Sequence, residues 1–148
     1  MFVQHNKRYT QEAVPSPCWI LEEDRLKANL QIIKMIKKRS GAKVLLALKG
    51  YALWKSFDTI RPVLDGCCAS GLHEALLASE EFGKEVHTYS PAYKEEEIDQ
   101  IAALSHHMVF NSPAQLHRFG ARAKEINPAL SLGLRVNPEY SQAPPDHY

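Results

Sequence analysis

The sequence has few cysteines and no long apolar run. No segment approaches the roughly 18 apolar residues that a membrane span requires, and residues 1–10, MFVQHNKRYT, lack the basic-then-apolar order of a secretion signal. The three cysteines, Cys18, Cys67 and Cys68, form neither an even disulfide framework nor a spaced set of metal ligands. We therefore expect a cytosolic protein with reduced thiols and no membrane association.

An excess of charge of one sign is also missing. The chain has 18 Lys and Arg residues against 17 Asp and Glu residues, for a formal net charge of +1. This balance creates no general field that would attract nucleic acid or an anionic membrane surface. Small molecules or other proteins are the partners that we expect.

Short apolar segments alternate with amphipathic ones along the chain. Segment 44–48, VLLAL, has no polar alternation, which is typical of a strand buried in a parallel sheet. Further strands are predicted at 18–21, 66–69, 86–89, 108–110 and 132–136, and helices at 24–39, 54–64, 72–82, 94–104 and 113–126. We expect Asp24 to cap the first helix, and Ser112, Pro113 and Gln115 to begin the last one as a capping box.

Strand–helix alternation with a period of roughly 20–25 residues predicts a parallel α/β sheet. Two architectures fit, an open doubly wound sheet or part of a (β/α)8 barrel. The first favours a GxGxxG or GxxxxGK[ST] phosphate loop, and the sequence has neither. We therefore favour the barrel, although 148 residues fall well below the roughly 250 of a complete one. The chain holds about five of the eight units.

In such a fold the reacting groups lie at the carboxyl ends of the strands, directly after each apolar segment. The residues in those positions are Lys49, Ser70, Ser90, Asn111, Arg135 and Asn137. Lys49 ends the most apolar strand, where partial desolvation would favour the neutral, nucleophilic amine. The alternative is a solvated lysine at a strand end. Arg135 is either a permanent cation beside a ligand or half of a structural ion pair.

Metal ligation is not predicted. His106 and His107 precede a strand and have no acidic or cysteine partner at ligand spacing in the sequence. The acidic run Glu95–Glu97 suits the positive end of a helix dipole and is interpreted as a solvated helix start.

Several short sequence segments, which we call words, resemble segments of a known protein family. They are LALKGYALW at 46–54, CASGLHEALLA at 68–78, FGKEVHTYSPAYKEEEI at 82–98, VFNSPAQLHRF at 109–119 and LGLRVNPEYS at 132–141. In this order they resemble the fold type III pyridoxal-phosphate decarboxylases, the group that contains ornithine and diaminopimelate decarboxylases. The KG dipeptide, YSPAYK and RVNPE are similar to the branch that acts on carboxylated polyamines.

The resemblance implies an alanine racemase-like (β/α)8 barrel and pyridoxal 5'-phosphate as cofactor. Lys49 matches the lysine that binds the cofactor covalently and handles the proton, while Arg135 and Ser70 match positions near the cofactor. The resemblance also implies a polyamine carboxylate as substrate and a homodimeric complete enzyme. We expect residues 1–17 to be a leader, 18–141 the N-terminal part of the barrel, and 142–148 a truncated tail, with a β-rich domain missing.

The sequence departs from the family pattern at one position. Relatives similar to ornithine decarboxylase carry an aspartate where Cys67 or Cys68 stands, and these thiols are either inert packing or a site of oxidation. An ornithine or diaminopimelate type of decarboxylase, a non-catalytic carrier of pyridoxal phosphate and an interaction module without a cofactor remain alternatives. We expect this chain by itself neither to decarboxylate nor to bind the cofactor tightly.

Overall fold

A computed structural model describes residues 16–140 of the chain. Its centre is one sheet of five parallel strands in the order β1-β2-β3-β4-β5. The strands are β1 (Leu45–Ala47), β2 (Gly66–Ala69), β3 (Glu85–Tyr89), β4 (His107–Phe110) and β5 (Ser131–Leu134). The predicted parallel α/β sheet is thus confirmed, and each of these five strands overlaps a predicted one.

One helix precedes β1, and helices fill the connections between the strands. They are α1 (Glu23–Ser40), α2 (Phe57–Ile60), α3 (Leu72–Leu77), α4 (Ile98–Leu104) and α5 (Pro113–Ile126). Single 3-10 turns precede α2 and α4, at Trp54–Ser56 and Glu95–Glu97, and a π-helical turn, Ala78–Phe82, extends α3. No helix within residues 16–140 is long and apolar enough to cross a membrane.

The strand order follows the chain order without a reversal. Each crossover therefore steps in the same direction, and right-handed crossovers of this kind carry their helices to the same face of the sheet. A doubly wound sheet reverses its order and covers both faces. The described part of the chain does not have that arrangement.

The burial pattern distinguishes the two faces of the sheet. Along β3, Val86 and Thr88 are buried while Glu85, His87 and Tyr89 are only half-buried. Strand β4 repeats this alternation, with Met108 and Phe110 buried. The buried side packs on the helices, with α3 against β2 and β3, and α5 against β4 and β5. The other face, which we call the open face, has no helix of residues 16–140 packed on it.

Local signals predicted some boundaries well. The Ser112 hydroxyl accepts the backbone N–H of Gln115 at 3.2 Å, so α5 begins as predicted, while the Gln115 side chain accepts from Asn111 N at 3.0 Å. Helix α1 ends at Ser40 and is capped by Gly41, whose φ of 71° is the left-handed conformation that favours glycine.

Other expectations were wrong. Asp24 lies inside the first turn of α1, and the N-cap is Glu22, which makes no side-chain capping bond. The predicted strand at 18–21 does not form, and Trp19 is fully exposed there. The predicted helix at 54–64 is regular only to Ile60. The predicted leader and tail fall largely or wholly outside the described residues.

Candidate active site

A cleft of about 340 Å³ opens on the open face at the carboxyl ends of β1, β2 and β3. The residues that line it are Ala47, Lys49, Cys68, Ala69, Ser70, His87, Thr88, Tyr89 and Val109. Two of the three predicted site residues, Lys49 and Ser70, therefore meet in one cleft. They come from neighbouring strands, as expected when carboxyl ends of parallel strands share an edge.

Lys49 lies in the turn that directly follows β1. The turn is closed by the backbone N–H groups of Gly50 and Tyr51, which donate to Ala47 O at 3.0 and 3.1 Å. Leu48 N also donates to Cys68 O at 3.1 Å, which fixes the start of the turn to β2. The Lys49 side chain is exposed, so residues 16–140 do not supply the partial desolvation expected of it.

Ser70 follows β2 and is held by a carboxylate. Its backbone N–H donates to Glu74 Oε2 at 2.7 Å, across the beginning of α3. Ser70 is half-buried and lines the cleft. Glu74 thus links the end of β2 to α3, the helix that follows it.

Arg135 reaches the same edge from β5 through Asn111. Asn111 Oδ1 accepts the Tyr89 hydroxyl at 2.9 Å and Arg135 Nη1 at 3.2 Å. The guanidinium carbon lies 6.0 Å from the centre of the Tyr89 ring, which favours a cation over the ring face. Tyr89 lines the cleft, so the exposed Arg135 cation lies next to its rim rather than inside it.

Tyr93 anchors the loop after β3, within the YSPAYK word. Its hydroxyl lies 2.9 Å from Val109 O and 3.2 Å from Thr88 O, and it accepts Ser90 N at 3.2 Å. Burial raises the pKa of Tyr93, so the hydroxyl stays protonated and donating at neutral pH. The loop is therefore tied to the ends of both β3 and β4.

The remaining strand-end candidates do not line the cleft. The Ser90 hydroxyl donates to Ala92 O at 2.9 Å, and Asn137 Oδ1 accepts Glu139 N at 3.0 Å, so both serve local turns. His87 and Tyr89 do line it, although the sequence reasoning missed both. Their signal was the alternation in EVHTY, which puts positions 85, 87 and 89 on one face of a strand.

The two adjacent cysteines face opposite ways. Cys68 lines the cleft, whereas Cys67 is fully buried in the core beneath the helices. Burial raises the pKa of the Cys67 thiol to about 12 and also raises that of Cys68. Both thiols are therefore protonated at neutral pH, and neither offers a thiolate nucleophile to the cleft.

Comparison with known proteins finds similar sequences and a similar solved structure. The chain is 50% identical, over 137 residues, to the carboxynorspermidine/carboxyspermidine decarboxylase of Campylobacter jejuni. A crystal structure of carboxynorspermidine decarboxylase from that organism, complexed with norspermidine, superposes with a TM-score of 0.80 at 50% identity. The chain is similar to part of a carboxynorspermidine decarboxylase. The resemblance to the polyamine branch that the sequence words predict is thereby confirmed.

These decarboxylases are longer than this chain. The matches cover 93% of this chain but 35% of the Campylobacter relative, and 86% of this chain but 34% of the solved one. The carboxyaminopropylagmatine decarboxylase of Synechocystis is 46% identical over 136 residues, which are 92% of this chain and 35% of that relative. No protein-family model matches the chain. The chain thus spans about a third of the length of its curated relatives.

Proposed function

We propose that this chain forms the lysine-bearing part of a decarboxylase that uses pyridoxal 5'-phosphate. Its substrate would be carboxynorspermidine or carboxyspermidine, and its product norspermidine or spermidine in polyamine synthesis. One observation above all supports the proposal. Lys49 follows β1 and lines the cleft, in a chain that is 50% identical to such a decarboxylase.

The architecture supports part of a (β/α)8 barrel. Strands added one after another in one direction, with helices on one face, are the arrangement from which such a barrel closes. The open face would then be the barrel interior, and residues 18–141 would belong to this domain. A β-rich domain and a homodimeric assembly complete the proposed enzyme, as the family resemblance implies.

The residues of the cleft fit the proposed cofactor chemically. An exposed lysine amine is available for covalent attachment to an aldehyde, and Ala47, Val109 and the Tyr89 ring offer an apolar wall for a flat heterocycle. The Arg135 cation lies beside that wall and suits an anionic substituent. When bound, pyridoxal phosphate supplies an electron sink for the pair left by departing carbon dioxide.

The chain's own groups would have distinct tasks around that chemistry. Lys49 would hold the cofactor and afterwards move a proton at its Nζ atom. The Ser70 hydroxyl would donate a hydrogen bond from the end of β2, in a position that Glu74 fixes. Arg135 would hold an anionic group at the rim, since Asn111 orients its guanidinium.

A chimera tests the proposal directly. In it, this chain replaces the matching segment of the Campylobacter enzyme, and release of carbon dioxide from carboxynorspermidine is measured. We expect turnover, and a loss of at least about 100-fold in Lys49→Ala because that group both binds and transfers a proton. The matched control is Lys55→Ala, which removes an exposed lysine outside the cleft and should leave the rate unchanged.

Two outcomes would contradict the proposal. One is a folded chimera that retains the cofactor's absorbance but releases no carbon dioxide, as a non-catalytic carrier would. The other is a Lys49→Ala chimera as active as the Lys55→Ala control. For the unaltered 148-residue chain, we expect no cofactor absorbance band to persist after gel filtration.

A second substrate deserves a parallel assay. The 46% identity to a carboxyaminopropylagmatine decarboxylase favours a substrate with a guanidino end as the alternative. The same chimera assayed with both substrates, compared as kcat/KM, shows which one the segment prefers.

A further inference from the structure

Three metal-ligating side chains meet on the open face below the cleft. Glu85 and His87 come from β3 and His107 from β4, and one ligand atom of each lies within 4.8 Å of the other two. Glu85 Oε2 is 3.1 Å from His87 Nε2, and the His87 and His107 rings are stacked with centres 4.1 Å apart. We call these residues the Glu-His-His cluster.

The sheet itself assembles this cluster. Glu85 and His87 are two residues apart on one strand and so point to the same face. His87 pairs with His107 in the parallel register of β3 and β4. The partners that the sequence spacing around His107 did not reveal thus lie on the neighbouring strand. Because all three residues come from strands, their backbone positions are fixed before any ligand arrives.

We propose that the Glu-His-His cluster binds one divalent transition-metal ion of the zinc type. Two imidazole nitrogens and one carboxylate oxygen are a donor set that suits such an ion and leaves a fourth position for water. The proposed decarboxylation assigns no role to Glu85 or His107, so this site goes beyond it and is tested without pyridoxal phosphate.

The state of the ligands favours binding at neutral pH. Burial, reinforced by the neighbouring His87, lowers the pKa of His107, so its imidazole is neutral and keeps a lone pair for a metal. The carboxyl pKa of Glu85 is lowered, chiefly by its hydrogen bond from Lys43, so that ligand is ionised. The two rings, now 29° apart, must turn so that one nitrogen of each faces the ion.

Lys43 competes with the metal. Its ammonium group donates a hydrogen bond to Glu85 Oε1 and places a positive charge beside the site. Removal of the ammonium removes this competing charge and should tighten metal binding, which a merely structural cluster would not do. Both side chains of the pair reach solvent, so the pair is weak and the expected effect is small.

The experiment measures Zn²⁺ binding to the full chain by titration calorimetry, with the visible absorption of Co²⁺ as the sign of direct coordination. We expect roughly tenfold or greater loss of affinity in His107→Ala and in Glu85→Gln. Lys43→Met should bind about two- to fivefold more tightly. His117→Ala, which removes an exposed histidine of α5, is the matched control and should bind as the unaltered chain does.

Circular dichroism of each variant checks that it is folded. If His107→Ala does not fold, Glu85→Gln and Lys43→Met, which keep the size of the side chain, decide the matter through their opposite expected shifts. Unchanged affinity in Glu85→Gln, an equal loss in His117→Ala, or no tightening in Lys43→Met would each overturn the proposal. Failure of the decarboxylase chimera would not affect it.

Discussion

Removing the Asp65 carboxylate should destabilise the strand that positions Lys49. Asp65 precedes β2, and its carboxylate accepts the N–H of Val44 at 2.7 Å and the Lys37 ammonium at 2.8 Å. Lys37 belongs to α1, and it also donates to Val63 O at 2.6 Å. One side chain thus joins the first helix, the approach to β1 and the approach to β2.

The magnitude follows from these two bonds. Hydrogen bonds to charged groups contribute about 1.5–3 kcal/mol each when shielded, and Asp65 and Lys37 are only 28% and 23% exposed. Lys37 keeps its bond to Val63 when the carboxylate is lost, so part of its contribution survives. We expect Asp65→Ala to lower the free energy of unfolding by about 2–3 kcal/mol, which lowers the urea midpoint by about 1 M.

The pH dependence has a definite sign. The hydrogen bond from Lys37, followed by that from Val44, lowers the Asp65 pKa below its ordinary value of 3.8. A carboxyl with a lowered folded pKa stabilises fully above its unfolded pKa, and this stabilisation is lost as pH falls through the folded pKa. The difference in unfolding free energy between Asp65→Ala and the unaltered chain should therefore be largest at neutral pH and shrink in acid.

Urea unfolding followed by circular dichroism measures this difference, from neutral pH down to the lowest pH at which both proteins fold. Asp58→Ala is the control, because Asp58 is 87% exposed in its ion pair with Arg61 and should cost less than about 0.5 kcal/mol. A loss in Asp65→Ala no larger than in the control would refute the reasoning, as would a difference that does not change with pH.

Two further experiments test the packing around the site. Gly66→Ala should cost at least about 2 kcal/mol in urea unfolding, because an added Cβ would lie 2.0 Å from the carbonyl oxygen of Glu85 on the adjacent strand. Iodoacetamide at neutral pH should label the exposed Cys18 long before Cys67, whose burial and raised pKa withhold the thiolate. Mass spectrometry of the digested protein distinguishes the two, and equal rates in the folded state would contradict the burial.

The sequence predicted the sheet because its signals were local. The uninterrupted apolar run VLLAL predicted a strand correctly, although β1 is only half-buried and Ala47 is exposed on the open face, so the expected burial on both sides is not seen among residues 16–140. The Ser112 cap needs only residues within one helical turn. The predicted strand at 18–21 failed for the opposite reason. Its apolar residues satisfy strand propensity, but Trp19 has no surface to pack on among residues 16–140, and propensity without packing does not make a strand.

Two residues of the cleft were predictable in the same way. Lys49 and Ser70 follow their strands, and any parallel sheet brings such residues to one edge. His87 and Tyr89 could not be selected, because alternation states which residues share a face but not which face is covered by helices. That choice depends on all the crossovers having one hand, which is a property of the whole sheet.

The cleft and the Glu-His-His cluster lie close together because both are on the open face. A sheet face covered by helices selects apolar side chains, as Val86, Met108 and Phe110 illustrate, whereas the open face also carries ionisable residues such as Glu85 and His107. On β3 the half-buried residues therefore change role along one strand, from Glu85 in the Glu-His-His cluster to Tyr89 in the cleft. His87 belongs to both sets, since it lines the cleft and pairs with His107. A metal ion on the cluster would consequently fix the orientation of His87, which forms part of one wall of the cleft. Substitutions at Glu85, His107 or Lys43 change metal binding without altering a residue that lines the cleft.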